Sequence, residues 1–301
     1  MMNPETYTLK KSIELYNSVG LQIRNMSFLA SWVHNVYKEL FYLPIIDLAY
    51  DERLALDKTK LSIFAILVDD LADNYKLRNQ ELLENAIRIP WNPNEKYQSK
   101  YLEVTRKIWL DVMRSIKQYP RYNEFKGLFY FDMDQFLDSI RYAFLVNTME
   151  IDNALEFKIY SHHNMMIIVY LDMDLMCSPD FNKEELWKLR PIFHYVQDIC
   201  HIGNILSTYP RELEERDFSS PIISIGLRKG LITKDDILRN PKKATEGLRE
   251  LESYYKRRVK ENFNRIEKSA DKIESVDIKE FSKKLRRVFK CFLERKHYWE
   301  E

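Results

Sequence analysis

The chain has 301 residues, 45% of them apolar, and its 47 basic and 46 acidic side chains leave a net charge of +1. Because there is no excess of positive charge, we expect no nucleic-acid partner and no attraction to an anionic membrane surface. Three cysteines in no metal-like spacing favour a reduced, cytoplasmic setting, and no apolar run approaches the roughly 20 residues of a membrane span.

The scarcity of glycine and proline predicts an all-α protein. Six glycines and ten prolines leave few sites for the tight turns that a sheet protein needs. The N-terminal residues lack the basic and apolar segments of a signal peptide. Since no repeat or linker divides the chain, we expect residues 1–301 to form one domain of ten to twelve helices.

Helical spacing and helix breakers predict the elements in chain order. The predicted helices are residues 9–47 with a break at Pro44, a helix opening at Asp51, a short helix ending near residue 87, and helices at 98–118, 122–146, 151–178, 183–209, 241–270 and 277–299. Asn182 and Glu185 have the spacing of a capping box. Residues 219–232 are predicted to be an irregular connection.

Charge runs mark the last two predicted helices. Residues 256–258 read Lys-Arg-Arg, and residues 283–287 hold four basic side chains around one leucine. Runs of this kind are typical of solvated helix faces, and that is the prediction here.

An acidic motif follows a strongly apolar run in the helix that opens at Asp51. Residues 61–68 are almost all apolar, and Asp69, Asp70 and Asp73 follow them. On a helix, Asp69 and Asp73 share one face, whereas Asp70 points about 100° away and is expected to anchor a basic residue. Paired carboxylates suit a hard cation such as Mg²⁺, although three acids near a helix end also occur by chance.

A second polar motif lies about 135 residues further along the chain. Asn204, Thr208 and Glu212 are spaced four residues apart, so their oxygen-bearing side chains line up on one helix face. An amide, a hydroxyl and a carboxylate can ligate a hard cation if a substrate completes the site. An ordinary polar helix face is the alternative for this motif alone.

Taken together, the two motifs resemble those of the class I terpene synthases of the single-domain microbial type. Asp69, Asp70 and Asp73 match the aspartate-rich DDxxD motif, and Asn204, Thr208 and Glu212 match the Asn/Ser/Glu motif. The resemblance in length and motif spacing covers nearly the whole chain. Ile205 and Pro210 depart from the pattern, and Pro210 is expected to bend the helix before Glu212.

The resemblance implies a helical bundle with a central active-site cavity and a lyase activity. In the family, a linear isoprenyl diphosphate loses diphosphate and the allylic cation cyclises, with three Mg²⁺ ions acting as Lewis acids. Asp69, Asp73, Asn204, Thr208 and Glu212 are the implied metal ligands. Farnesyl and geranylgeranyl diphosphate are both open as substrates, and a homodimer is possible because many members form one.

Substrate-binding residues are implied less directly. Arg211 precedes the motif glutamate, and the register of the family's diphosphate-sensing arginine gives Lys158, which can meet a phosphate only as a point charge. The family's C-terminal Arg-Tyr pair has its nearest match at His297 and Tyr298, with Arg295 nearby. Candidate aromatic faces for the carbocation are Phe64, Tyr160 and Trp299, although core packing explains each of them equally well.

Two alternatives stay open. A chain-elongating trans-prenyltransferase shares the fold and the Mg²⁺ chemistry, but it carries a second aspartate-rich motif where this chain has Asn204, Thr208 and Glu212. A non-catalytic helical interaction module would make both motifs coincidental.

Overall fold

The computed structural model describes residues 8–19, 25–149, 151 and 154–295, with the backbone alone at 154 and 295. Within these ranges every regular element is a helix and no strand is present, which confirms the all-α prediction. The thirteen α-helices of the described ranges are α1 (Leu9–Asn17), α2 (Met26–Glu39), α3 (Asp51–Asp73), α4 (Gln80–Arg88), α5 (Lys100–Ile116), α6 (Tyr122–Met149), α7 (Ala154–Tyr160), α8 (Ile167–Met176), α9 (Leu186–Glu214), α10 (Pro221–Arg228), α11 (Lys234–Arg239), α12 (Pro241–Ser269) and α13 (Ile278–Arg295).

Helices α3 and α9 are the two central elements. Helix α3 packs against α1, α2, α4, α5 and α6, and α9 packs against α8, α10, α12 and α13. Each buries residues around most of its circumference, as a helix surrounded by neighbours does, and polar and charged side chains are among them. The two predicted motifs therefore lie on the two helices at the middle of the fold.

The ends of α3 follow from its sequence. Asp51 and Glu52 lie in the first turn, where carboxylates interact favourably with the helix dipole. At the other end the Arg78 guanidinium donates to the carbonyl oxygens of Ala72 and Asp73, each at 2.9 Å. Since the last carbonyls of a helix lack partners within it, Arg78 fixes the turn that carries the acidic motif.

Helix α9 continues further than predicted. It runs through Pro210 to Glu214, so the proline does not end the helix at the motif. Proline removes one backbone donor, and the neighbouring Tyr209 hydroxyl donates to Glu252 of α12 at 3.0 Å, which holds the helix at that position. Thr208 and Glu212 consequently stay on one helical face.

The prediction of a single helix over residues 151–178 is wrong. Helix α7 ends at Tyr160, a 3-10 turn follows over Ser161–His163, and Met166 has a positive φ of 53° before α8 begins. The Gln197 side chain of α9 accepts a hydrogen bond from the Ile168 backbone N–H at 3.2 Å. This tertiary contact caps the start of α8 and compensates for the break, which the apolar pattern did not indicate.

Three other local predictions also differ from the structure. The helical pattern of residues 9–47 is divided between α1 and α2, and residues 221–228, predicted to be irregular, form α10 with Pro221 in its first turn. Asn182 caps a 3-10 turn by accepting from Glu184 N at 3.1 Å. Glu185 does not complete the predicted capping box, because its carboxylate accepts hydrogen bonds from the backbone N–H groups of residues 274 and 275 instead.

The charged faces of the last two helices are largely as predicted. Lys256, Arg257 and Lys283 are exposed, whereas Arg258 is partly buried. In the described ranges, no helix combines the length and the apolar character needed to cross a membrane.

Candidate active site

A cavity of about 210 Å³ lies between α3 and α9 and has an acidic end and an apolar end. The acidic end joins residues of both motifs to the segment that follows α9. Its charged and polar lining residues are Asp69, Asp73, Asn204, Thr208, Arg211, Glu212, Glu215, Asp217, Ser219 and Ser220. The cavity therefore brings all five predicted metal ligands together.

The remaining wall is predominantly apolar and aromatic. Trp32 and Phe292 meet edge to face with ring centroids 5.5 Å apart, and Tyr37 and Tyr170 are 5.0 Å apart. The apolar and aromatic lining residues are Leu29, Trp32, Val33, Val36, Tyr37, Phe41, Ala65, Ile66, Phe136, Met165, Ile167, Tyr170, Cys200, Ile205, Pro221, Val288 and Phe292. A ligand that fits this cavity has one charged end and one hydrocarbon end.

The α3 motif divides as helical geometry predicts. Asp69 and Asp73 line the cavity, together with Ser62 and Ile66 on the same face. Asp70 is buried on another face and accepts a hydrogen bond from the Tyr16 hydroxyl at 3.0 Å. Asp70 thus lies outside the cavity lining, and its predicted basic partner stays a prediction.

On α9, the Thr208 hydroxyl contacts both of the other motif residues, Glu212 through its side chain and Asn204 through its backbone. The Thr208 hydroxyl lies 2.5 Å from Glu212 Oε1 and 2.7 Å from the Asn204 carbonyl oxygen. A hydroxyl carries one proton, so Thr208 donates to one of these oxygens at a time. Arg211 donates to Glu215 Oε2 at 2.6 Å, one turn further along the helix.

A short segment after α9 adds two carboxylates that sequence reasoning missed. Asp217 accepts from the Ser219 hydroxyl at 2.6 Å and from Asn147 Nδ2 at 2.9 Å. Asn147 also accepts from the Phe218 backbone N–H at 2.7 Å, which ties the segment to the end of α6. Together with Glu215, Asp217 makes the acidic end richer in carboxylates than the two motifs alone.

The carboxylates of the acidic end raise one another's pKa. Burial, followed by the charges of Asp217, Asp69 and Glu212, raises the pKa of Asp73 well above its usual range. Burial and Asp217 raise the pKa of Glu212 to about 7. Burial also raises the pKa of Asp217. Ionising this cluster therefore costs free energy unless a cation lies within it.

The donor set fits a hard divalent cation. Glu215 Oε1 is buried and accepts no hydrogen bond within the described part of the chain, and the cluster offers carboxylate, amide and hydroxyl oxygens, the ligands that Mg²⁺ prefers. Among described residues, no three His, Cys, Asp or Glu side chains are close enough to hold a metal ion by themselves. Mg²⁺ typically keeps waters and phosphate oxygens and uses only one or two carboxylates, so an open arrangement suits it.

Three predicted substrate-binding residues lie elsewhere. Lys158 is exposed and lines a second, neighbouring cavity. Phe64 is fully buried and packs against Trp109 with ring centroids 5.1 Å apart. Tyr160 is 41% exposed and stacks on Tyr142. The Arg295 side chain and residues 296–301, which include Tyr298 and Trp299, lie outside the described residues.

Comparison with known proteins adds no relative: no protein-family model matches the chain, and no curated protein matches it.

Proposed function

We propose that the protein is a Mg²⁺-dependent class I terpene synthase that converts farnesyl or geranylgeranyl diphosphate to a cyclic terpene hydrocarbon or alcohol. The observation that carries the proposal is the meeting of both motifs at one end of a cavity whose other walls are apolar. An isoprenyl diphosphate has the same two-part character, with a multiply charged head and a long hydrocarbon tail.

The acidic end would hold the metal ions and, through them, the diphosphate. Asp69 and Asp73 would bind Mg²⁺ from α3, and Asn204, Thr208 and Glu212 from α9. When bound, Mg²⁺ supplies Lewis acidity that stabilises the departing diphosphate. The Arg211 guanidinium lines the same end and can donate to phosphate oxygens in a bidentate manner.

The apolar end would shape and protect the carbocation. Its aliphatic walls exclude water, which would otherwise quench the cation, and the aromatic faces of Trp32, Phe292 and Tyr170 can stabilise positive charge. These rings replace Phe64 and Tyr160 as the candidates for carbocation contact.

The direct test is incubation of purified protein with geranyl, farnesyl, geranylgeranyl and geranylfarnesyl diphosphates plus Mg²⁺, followed by gas chromatography–mass spectrometry. We expect a cyclic product from one substrate and none from the Asp69→Ala, Glu212→Ala double variant. Glu81→Ala, Glu246→Ala is the matched control, because it removes two exposed carboxylates outside the cavity. Lack of turnover by the wild-type protein would contradict the proposal.

Two further readouts separate the alternatives. Longer prenyl alcohols after phosphatase treatment of reactions that contain isopentenyl diphosphate would identify a trans-prenyltransferase. An interaction module would show no thermal stabilisation by diphosphate that depends on Mg²⁺ and is lost in EDTA. A synthase should be stabilised by about 2.7 kcal/mol when the ligand is present at 100 times its dissociation constant.

A further inference from the structure

A second cavity, of about 700 Å³, lies beside the first and is also lined by α9. Its walls come from α7 and the following 3-10 turn, α9, α10 and α12. Four residues, Ser161, His201, Ile205 and Pro221, line both cavities and form the wall between them. The two cavities are neighbours but differ in charge.

Positive charge dominates the second cavity. Its cationic lining residues are Lys158, Arg228, Arg257, Arg258 and Arg265, and its acidic ones are Asp198 and Glu261. The excess of three positive charges contrasts with the net charge of +1 for the whole chain. Such a local excess inside a concave surface attracts anions more strongly than the same charges on a flat face.

One arginine of this cavity is fixed by an ion pair. Arg258 donates to both oxygens of Asp198, at 2.7 and 3.0 Å, and Asn262 Nδ2 donates to Asp198 at 2.6 Å. This network positions the Arg258 side chain and neutralises Asp198. The charge of Asp198 is therefore already balanced before any ligand enters.

Three other cations have no such balance. Lys158, Arg257 and Arg265 form no ion pair within the described part of the chain. Arg265 lies over the Tyr195 ring, 5.5 Å from its centroid, which orients the guanidinium without neutralising it. All three side chains are exposed and therefore solvated in the free protein, and a polyanion at the cavity would contact them together, with Glu261 opposing part of their charge.

Histidines supply neutral donors in the same cavity. His162 Nε2 lies 3.2 Å from His194 Nδ1, and the two rings stack with centroids 5.4 Å apart. Burial lowers the pKa of His162 to about 3 and that of His201 to about 4, so these imidazoles are neutral at pH 7. Hydrogen bonding by neutral imidazoles and charge from arginines together match phosphate groups.

We propose that this basic cavity binds a polyphosphate group directly, without a metal ion. A polyphosphate carries several charges on closely spaced oxygens, which suits Arg257, Arg265 and Lys158, whereas a single carboxylate would leave most of that charge unmatched. The partly exposed Tyr254 ring on the same wall offers a surface for the base of a nucleotide. The phosphate chain is thus the recognised group, either free or as part of a nucleotide.

Absence of a metal requirement distinguishes this cavity from the acidic one. The acidic end repels an anion unless cations intervene, so EDTA should abolish phosphate binding there and leave binding in the basic cavity intact. The test is isothermal titration of sodium triphosphate and of ATP into the full chain in EDTA. We expect saturable binding that weakens as salt rises.

Substitutions test whether triphosphate binds in the basic cavity. Arg257→Ala, Arg265→Ala should weaken triphosphate binding by at least about ten-fold, since each lost partner removes a charge-assisted hydrogen bond. Lys260→Ala, Lys268→Ala removes two exposed charges from the same helix outside the cavity and should leave the affinity unchanged. Asp69→Ala, Glu212→Ala should also bind triphosphate normally in EDTA, whatever the outcome for terpene synthesis.

The comparison of ligands identifies the source of the phosphate chain. Tighter binding of ATP than of triphosphate would support a nucleotide, and equal binding would support the free polyphosphate. No binding of either probe in EDTA would overturn the proposal, as would an equal loss of affinity in the Lys260→Ala, Lys268→Ala control.

Discussion

The two ends of α3 bury charge in opposite ways. In its first half, oppositely charged groups form close pairs with neighbouring helices. In its last two turns, groups of the same charge cluster around a cavity. One helix thus contains buried charges that are paired and buried like charges whose clustering the packing of the fold does not explain.

Two buried lysines in the first half have close acidic partners. Lys58 lies 2.6 Å from Asp174 and donates to the Phe41 carbonyl at 3.0 Å, and Lys60 lies 2.8 Å from Asp111. Burial nevertheless lowers the pKa of Lys58 and raises that of Asp174 to about 6, with pairing only partly opposing each shift. Each partner is therefore necessary chiefly because the other is buried.

The last turns lack this compensation. Asp73 lies near Asp69, Asp217 and Glu212, and these carboxylates raise its pKa further above its usual range. Among the described residues that line the acidic end of the cavity, Arg211 is the one arginine or lysine, and it is paired with Glu215 at 2.6 Å. A cluster of like charges that persists in the core is typical of a binding site, since packing alone would favour its replacement.

The largest expected change in stability concerns the ion pairs in the first half of α3. Lys58→Met leaves Asp174 buried without its cation, so we expect the free energy of unfolding to fall by about 3–5 kcal/mol at pH 8. Urea denaturation followed by circular dichroism measures the change. The Lys58→Met, Asp174→Leu double variant should recover most of the stability, because it removes both charges. A loss below about 1 kcal/mol in the single variant would show that the pair does not have this role.

Helical periodicity explains why the sequence predicted the acidic face. Asp69 and Asp73 share a face of α3, and Asn204, Thr208 and Glu212 share a face of α9, because residues four apart in a helix lie above one another. The same rule places Phe64 outside the cavity lining, since the cavity face of α3 carries Ser62, Ala65 and Ile66. Phe64 points towards Trp109 in the core.

Tertiary contacts explain what the sequence did not predict. Asp217 reaches the cavity because Asn147, 70 residues away, holds the segment after α9. The break before α8 is compensated by Gln197, which accepts a hydrogen bond from the backbone N–H of Ile168, 29 residues earlier in the chain. The three acids at positions 214, 215 and 217 were the available signal for Glu215 and Asp217, but local sequence does not show which helix a loop contacts.

The second prediction, with a stability change of intermediate size, concerns the like-charged cluster at the end of α3. Glu212→Gln removes an acid whose pKa is raised from 4.5 to about 7. A raised carboxyl pKa stabilises the fold below pH 4.5 and loses that contribution as the pH rises through 7. The variant should therefore be more stable than wild type by about 3 kcal/mol at pH 8 and equally stable at pH 4, while losing the proposed synthase activity.

Urea denaturation at the two pH values measures this difference. Glu246→Gln is the control, because its exposed side chain lies outside the cavity and should change stability at neither pH. Lower stability of Glu212→Gln at pH 8 would mean that the carboxylate is a structural partner, as Asp174 is. That outcome would remove the contrast between the two ends of α3.

The smallest effect tests a hydrogen bond within the like-charged end. The Ser219 hydroxyl donates to Asp217 at 2.6 Å and lowers the pKa that burial has raised, so it stabilises the ionised carboxylate. Ser219→Ala should cost about 1 kcal/mol at pH 8 and less at pH 5, where more of Asp217 is protonated. The buried Ser139 hydroxyl donates to a backbone carbonyl at 2.6 Å, so any loss in Ser139→Ala should be the same at both pH values. A pH-independent loss in Ser219→Ala would mean that the hydroxyl only packs the loop, whereas a loss confined to high pH would show that the protein stabilises the ionised form of Asp217, the form that a cation requires.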